Sequence, residues 1–249
     1  MSRKRHVQLE LPKLDKNGQH RGGARPNAGR KPKGLRAGSP HKVRPALDAR
    51  HPQHVTIRCV AAVGWLRRLD TYRAVRRALA TSIANHHDFR IVHVSVQNTH
   101  VHLLVEAANR AALISGMQGF QISAARHINR ALSRRQHRTR RGQVFADRYH
   151  SEDLGSVRQV RNALAYVLNN WRKHRDDRGR YTLLDGRLDP YASGLAFDGW
   201  REALPDPPSS YEPPPLRSPA TWLLAQGWKR AAPVSVFEVP GSPARSRRA

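Results

Sequence analysis

The feature that most constrains the fold is a pair of alternating stretches, residues 90–97 and 100–107, joined only by Asn98 and Thr99. Side chains alternate between two faces along a β-strand. A two-residue connection between two such stretches is typical of a β-hairpin. The sequence therefore predicts an antiparallel hairpin here.

The register of this hairpin assigns each side chain to a face. With Asn98-Thr99 as the turn, Gln97 lies opposite His100 and Ser95 lies opposite His102. The polar face then carries His93, Ser95, Gln97, His100, His102, Leu104 and Glu106. The apolar face carries Val92, Val94, Val96, Val101, Leu103 and Val105. We expect helices to cover the apolar face and to leave the polar face uncovered.

Two more strands and three helices are predicted around the hairpin. Alternating or apolar stretches predict strands over residues 54–60 and 144–150. Residues able to cap a helix start the predicted helices, at Asp70 or Thr71, at Asn109 and at Ser156; these helices end near residues 86, 132 and 174. The order β-α-β-β-α-β-α predicts an α+β fold, a ferredoxin-like antiparallel sheet with an added C-terminal helix that carries Tyr166.

Two histidines on the polar face are candidate metal ligands. His100 and His102 are spaced i and i+2, so both imidazoles can converge on one ion. The alternative is a pair of exposed or hydrogen-bonded histidines without a metal. Cys59 is the only cysteine, which excludes an internal disulfide and a four-cysteine zinc site. A bound metal must therefore use His, Asn or carboxylate ligands.

The last predicted helix separates an apolar stripe from a polar flank. Its stripe consists of Val157, Val160, Leu164, Val167 and Trp171. At about 100° per residue, Tyr166 lies about 130° from the centre of this stripe. Asn170 follows one turn later, so its amide and the phenol point to the same place; Gln159, Asn162 and Lys173 complete the flank. The alternative is a half-buried tyrosine on a helix that only faces DNA.

The charge of the chain indicates a polyanionic partner. The sequence holds 45 Lys and Arg against 18 Asp and Glu, a formal net charge of +27, which favours nucleic acid. The sequence shows neither an apolar run of about 18 residues nor a signal segment, so we expect no membrane association and a cytoplasmic location. Predicted phosphate contacts are Arg126, Arg130, Arg134, Arg135, Arg138, Arg140, Arg141 and Arg148.

The two ends of the chain differ from the centre in composition. Residues 1–50 are basic and rich in Gly and Pro, which predicts a disordered arm. Within it Arg25, Arg30 and Lys31 belong to a stretch similar to a minor-groove hook, although a solvated tail that binds phosphate is the alternative. Residues 179–249 form a Pro-, Gly- and Arg-rich tail that we expect to pack locally or stay loose.

The central motifs together resemble a known family. Gln97-Asn98-Thr99-His100-Val101-His102 is similar to the HUH motif, and Ala165-Tyr166-Val167-Leu168-Asn169-Asn170 is similar to the nucleophile helix of single-tyrosine transposases, particularly the REP-associated tyrosine transposases. The resemblance covers about residues 50–178. It implies that His100, His102 and Asn170 hold a divalent metal, Mg²⁺ or Mn²⁺, and that Tyr166 is the nucleophile. It also implies that the enzyme cuts and rejoins single-stranded or hairpin DNA through a 5′-phosphotyrosine.

Two other functions stay open at this point. Another HUH endonuclease, a replication initiator or relaxase, usually has a second active tyrosine, a shifted motif order or a helicase domain, and the chain has no P-loop motif. A non-catalytic DNA- or RNA-binding descendant of the fold is the second alternative. The resemblance is compatible with a monomer or a homodimer.

Overall fold

The computed structural model describes residues 46–178 and 183–241. Its strands are β1 (Gln53–Arg58), β2 (Phe89–Val96), β3 (His100–Ala107) and β4 (His150–Asp153). Its helices are α1 (Leu69–Asn85), α2 (Arg110–Gln136), α3 (Val157–Lys173) and the short α4 (Trp222–Ala225). The predicted minor-groove residues Arg25, Arg30 and Lys31 lie outside the described residues.

The four strands form one sheet in the order β2-β3-β1-β4, and each neighbouring pair is antiparallel. This order and the element sequence β-α-β-β-α-β are those of the predicted ferredoxin-like arrangement. Helix α3 follows the last strand and carries Tyr166. The predicted α+β fold class is therefore confirmed.

The main core lies between the apolar face of the sheet and the layer formed by α1 and α2. Val101 and Leu103 of β3 are fully buried there against Met117 and Phe120 of α2. A Cβ atom at Gly116 would overlap the Phe89 ring. Only a glycine therefore lets α2 approach the start of β2 this closely.

Three local predictions differ from the structure. The fourth strand is found at His150–Asp153 and not at residues 144–150, because the chain bends at residues 146–148 after Phe145 makes one bridge to Cys59. Helix α1 begins after Arg68 with no side-chain cap, and the Thr71 hydroxyl donates to the Leu66 carbonyl instead. Helix α2 extends through Gln136, four residues beyond its predicted end near residue 132.

The polar face of the sheet is also covered, so the expectation that helices cover one side only is wrong. A β-bulge between Ile91 and His93 turns Val92 to this face. Val92 and Leu104 pack there against α3 and against Phe197 and Trp228 from the C-terminal segment. The same segment extends the sheet beyond β2, because the Ser193 amide donates to the Val94 carbonyl over 2.9 Å. The described part of the tail is thus packed against the domain.

Candidate active site

His102 is held from one side by strand β1. Thr56 is its register partner, and the His102 Nδ1 atom lies 3.1 Å from Thr56 Oγ1 and 3.1 Å from His54 Nε2. The other ring nitrogen, Nε2, is buried and has no hydrogen-bond partner among the described residues. Histidines that bind a metal usually do so through one ring nitrogen while a neighbouring group holds the other. His102 has this arrangement, with Nδ1 held and Nε2 free to bind.

His100 lies next to His102 on the same face of β3. The two ring centroids are 4.6 Å apart and the ring planes are nearly perpendicular, at 89°. With metal–nitrogen bonds near 2.1 Å, two imidazoles bound at right angles to one ion have centroids roughly 4.5 Å apart. The spacing of this pair therefore fits a shared metal ion.

Helix α3 places Tyr166 against these histidines. The start of the helix is fixed by Ser156, whose side chain accepts a hydrogen bond from the Gln159 amide. The half-buried Tyr166 ring lies 5.2 Å from His102 and 5.6 Å from His54, measured between ring centroids. The Lys173 ammonium group is 5.4 Å from the Tyr166 ring centroid. The phenol is thus brought beside the histidine pair and beside a cation.

Asn170 lies one helical turn after Tyr166 and one turn before His174, and both of these residues contact the histidine pair. Tyr166 contacts His102, and His174, one turn beyond Asn170, has its ring centroid 6.0 Å from that of His100. Residues four apart are neighbours on one helix face, so Asn170 lies between these contacts. Its side chain is fully buried, and neither amide atom has a partner in the described part of the chain. A buried amide without partners is a candidate third ligand.

The described residues contain no group of three or more His, Cys, Asp or Glu side chains that could hold a metal ion. His100 and His102 would therefore have to share the ion with an amide oxygen or with water. Asn170 supplies such an oxygen, which is a ligand type that Mg²⁺ and Mn²⁺ accept. The residues present fit a divalent metal under this condition.

His100 and His102 are uncharged at neutral pH because the pKa of each imidazole is lowered. Burial, helped by the nearby charges of His174 and Arg58, lowers the pKa of His100 to about 4. Burial and the neighbouring histidines lower the pKa of His102 to about 2. A neutral imidazole keeps its lone pair and can bind a metal without first losing a proton.

The arginines predicted to bind DNA are not gathered at this site. Arg126, Arg130, Arg134 and Arg135 lie on α2, on the opposite side of the sheet from His100. Arg130, Arg134 and Arg135 line a groove of about 440 Å³ with residues of α1, and Arg135 is paired with Asp70 at 3.1 Å. The predicted set also includes the exposed residues Arg138, Arg141 and Arg148. The Arg140 guanidinium donates hydrogen bonds to Asn129 Oδ1 and to the Gln143 carbonyl.

Sequence reasoning missed four residues that the fold brings to the histidine pair. They are His54, Thr56, Arg58 and His174. His54, Thr56 and Arg58 alternate along β1, and that alternation was a signal that they share a face. Their pairing with β3, which sets Arg58 opposite His100, could not be read from the sequence. His174 continues the four-residue spacing of Tyr166 and Asn170.

Comparisons with known proteins give one family match. Residues 66–170 match the model of a family described as IS200-like transposases. This segment contains His100, His102, Tyr166 and Asn170 but makes up less than half of the 249 residues. A search of curated proteins found no match.

Two similar solved structures are a REP-associated tyrosine transposase bound to a REP hairpin and a bacterial tRNA(His) guanylyltransferase (Thg1)-like protein in complex with GTP. The first is 15% identical over 62% of this chain and 82% of its own, with a TM-score of 0.44. The second is 13% identical over 54% of this chain and 66% of its own, with a TM-score of 0.39.

Within the described ranges, no helix combines the length and the apolar character that a membrane crossing needs.

Proposed function

We propose that the chain is a transposase that cuts and rejoins single-stranded DNA with Tyr166 as its nucleophile. The match of residues 66–170 to the model of the IS200-like transposases supports this proposal. The metal would be held by His100, His102 and Asn170. The single observation that carries this proposal is the Tyr166 ring beside His102, whose buried Nε2 has no partner among the described residues.

The proposed metal site has a defined chemical purpose. A divalent ion bound to His100, His102 and Asn170 would draw charge from a non-bridging phosphate oxygen and align the phosphate for attack. The protein holds the His102 ring in place through Thr56 and His54. A site fixed in this way before the substrate arrives needs little rearrangement during the reaction.

The proposed reaction exchanges one phosphodiester for another. The Tyr166 phenol gives up its proton and its oxygen forms a bond to phosphorus, while the bond from phosphorus to the 3′ oxygen breaks. That 3′ oxygen takes up a proton and leaves as a 3′-hydroxyl. The DNA 5′-phosphate stays joined to Tyr166. A 3′-hydroxyl can then attack this phosphotyrosine, release the phenol and join a new partner. No nucleotide cofactor is needed, because the energy of the ester is kept.

Single-stranded or hairpin DNA is the proposed substrate. The net charge of +27 favours a polyanion. Two cations also flank the site, because Arg58 is paired in register with His100 and Lys173 lies over the Tyr166 ring. An attacked phosphate needs neighbouring positive charge of this kind.

The experiment is a trapping assay. Purified full-length protein and Mn²⁺ are incubated with labelled single strands taken from the DNA that flanks its gene, and covalent protein–DNA adducts are resolved by denaturing electrophoresis. We expect an adduct whose DNA-linked peptide contains Tyr166 by mass spectrometry. Tyr166→Phe should form none, whereas Tyr211→Phe, a change at another half-buried tyrosine, should form it normally. An adduct on Tyr149, or undiminished cleavage by Tyr166→Phe, would overturn the mechanism.

A further inference from the structure

An exposed tryptophan lies near the end of the sheet that carries His100. Trp65 has 70% of its surface exposed, the largest fraction among the large apolar side chains in the described residues. Its neighbours Val63 and Leu66 are buried in the main core. The chain thus anchors both sides of Trp65 while leaving its indole in solvent.

The loop that carries Trp65 is held by several backbone hydrogen bonds. The Gly64 amide donates to the Ala61 carbonyl over 3.0 Å, and Gly64 has a φ of 72°, a conformation that favours glycine. The Leu66 amide donates to the Asn98 carbonyl over 2.8 Å. The Leu66 carbonyl accepts from the Thr71 hydroxyl over 2.6 Å. An indole presented by a fixed loop loses little conformational entropy when a ligand stacks on it.

The loop is adjacent to the candidate active site. Asn98, which bonds to Leu66, lies two residues before His100 in the β2–β3 turn. Arg58, the register partner of His100, is exposed at the same end of the sheet. The Cys59 amide also donates to the Thr99 carbonyl over 2.8 Å. The loop that follows β1 therefore joins Arg58 and Trp65 to the turn before His100.

We propose that Trp65 is a stacking platform for an unpaired base of the DNA strand, on the flank of the active site, and that Arg58 binds a phosphate of the same strand. This inference rests on the proposed function, because it assumes that single-stranded DNA passes His100. The family match begins at residue 66, so Trp65 lies outside the matched segment.

Charge favours a nucleic acid strand over a protein at this surface. Arg58 and Arg68 are both exposed on the chain that flanks Trp65, and the protein carries a net charge of +27. Aromatic side chains beside cations bind single strands without sequence preference, since every base has a π-face. The phosphates of a strand would pair with the two guanidinium groups, whereas an apolar protein surface offers them no opposite charge.

The test compares two strands that differ only in their bases. The affinity of the full-length protein is measured in EDTA, at one salt concentration, for oligothymidylate and for an abasic strand of the same length, about 12 nucleotides. We expect Trp65→Ala to weaken oligothymidylate binding by roughly 5- to 150-fold and to leave abasic-strand binding nearly unchanged. Trp65→Phe should keep part of the base-dependent affinity.

Trp222→Ala is the matched control, because Trp222 is also exposed, at 51%, but lies near Glu106 and Leu223, at the other end of β3 from His100. This change should weaken binding to the two strands only slightly and to the same extent. An equal loss on both strands with Trp65→Ala, or no loss on either, would refute the platform. A change of sedimentation with unchanged base dependence would assign Trp65 to contact with a second copy and would also refute it.

Failure of this proposal is distinguishable from failure of the proposed function. Binding in EDTA requires no cleavage and no Tyr166 adduct. If the wild-type protein forms the Tyr166 adduct but Trp65→Ala has no base-dependent effect on binding, the proposed function stands and the stacking platform is refuted.

Discussion

Replacing Asn170 by Leu should stabilise the metal-free protein. The Asn170 side chain is fully buried, and neither its amide nitrogen nor its oxygen has a partner among the described residues. An unsatisfied buried amide costs about 1–3 kcal/mol. Leucine has nearly the same shape without the polar atoms. We therefore expect the free energy of unfolding to rise by about 1–3 kcal/mol.

The neighbouring residue is a matched control with the opposite expected sign. Asn169 is equally buried, but its Nδ2 atom donates to the Ser235 carbonyl over 2.8 Å. Asn169→Leu would leave that carbonyl unpaired and should lower the free energy of unfolding by about 1–2 kcal/mol. The gain from removing the unpartnered Asn169 Oδ1 atom offsets part of the loss.

The assay is urea unfolding in EDTA and then in Mn²⁺. A metal that binds only the folded state adds about 2.7 kcal/mol at 100 times its dissociation constant. The wild-type protein should gain this stabilisation, and Asn170→Leu should lose most of it together with cleavage. The reasoning is refuted if Asn170→Leu is destabilised in EDTA, or if Mn²⁺ stabilises it as much as the wild type.

Three further predictions concern the metal, pH and the N-terminal arm. His102→Ala should abolish metal-dependent cleavage in a labelled-strand assay and leave salt-sensitive DNA affinity nearly intact; full cleavage would contradict the ligand assignment. Burial lowers the pKa of His93 to about 4 from 6.5, so the unfolded state binds more protons and stability should fall as pH falls from about 6.5 to 4, by up to roughly 3 kcal/mol. His93→Gln should flatten this part of the pH profile in urea unfolding, and an unchanged slope would contradict the burial argument. Deleting residues 1–49 should weaken DNA binding and reduce its salt dependence in a titration without loss of folding; an unfolded product would show that the arm is part of the domain.

Packing along the tail had no local signal. Glu106 is buried, and its carboxylate accepts hydrogen bonds from the Ala220 amide and from the Thr221 amide and hydroxyl. Arg67 is paired with the buried Asp189 at 2.8 Å. Each of these contacts joins residues more than 100 positions apart, and the short-range periodicity of a sequence contains no information about such pairs.

The sequence by itself determined the parts of this protein that depend on short-range order. Strand alternation placed His100 and His102 on one face, the two-residue turn placed Ser95 opposite His102, and helical spacing separated Tyr166 from the buried stripe that contains Trp171. These features follow from periods of 2.0 and 3.6 residues, which are read within one element.

Only the tertiary structure decided which elements meet at the site. It buried Asn170, which the helical pattern had placed on a polar flank, because the polar face of the sheet is covered by α3 and the C-terminal segment. It set His54 against His102 and kept Arg130 on the other side of the sheet. The order of strands and the side on which a helix packs depend on contacts between residues far apart in the chain, and local periodicity cannot specify them.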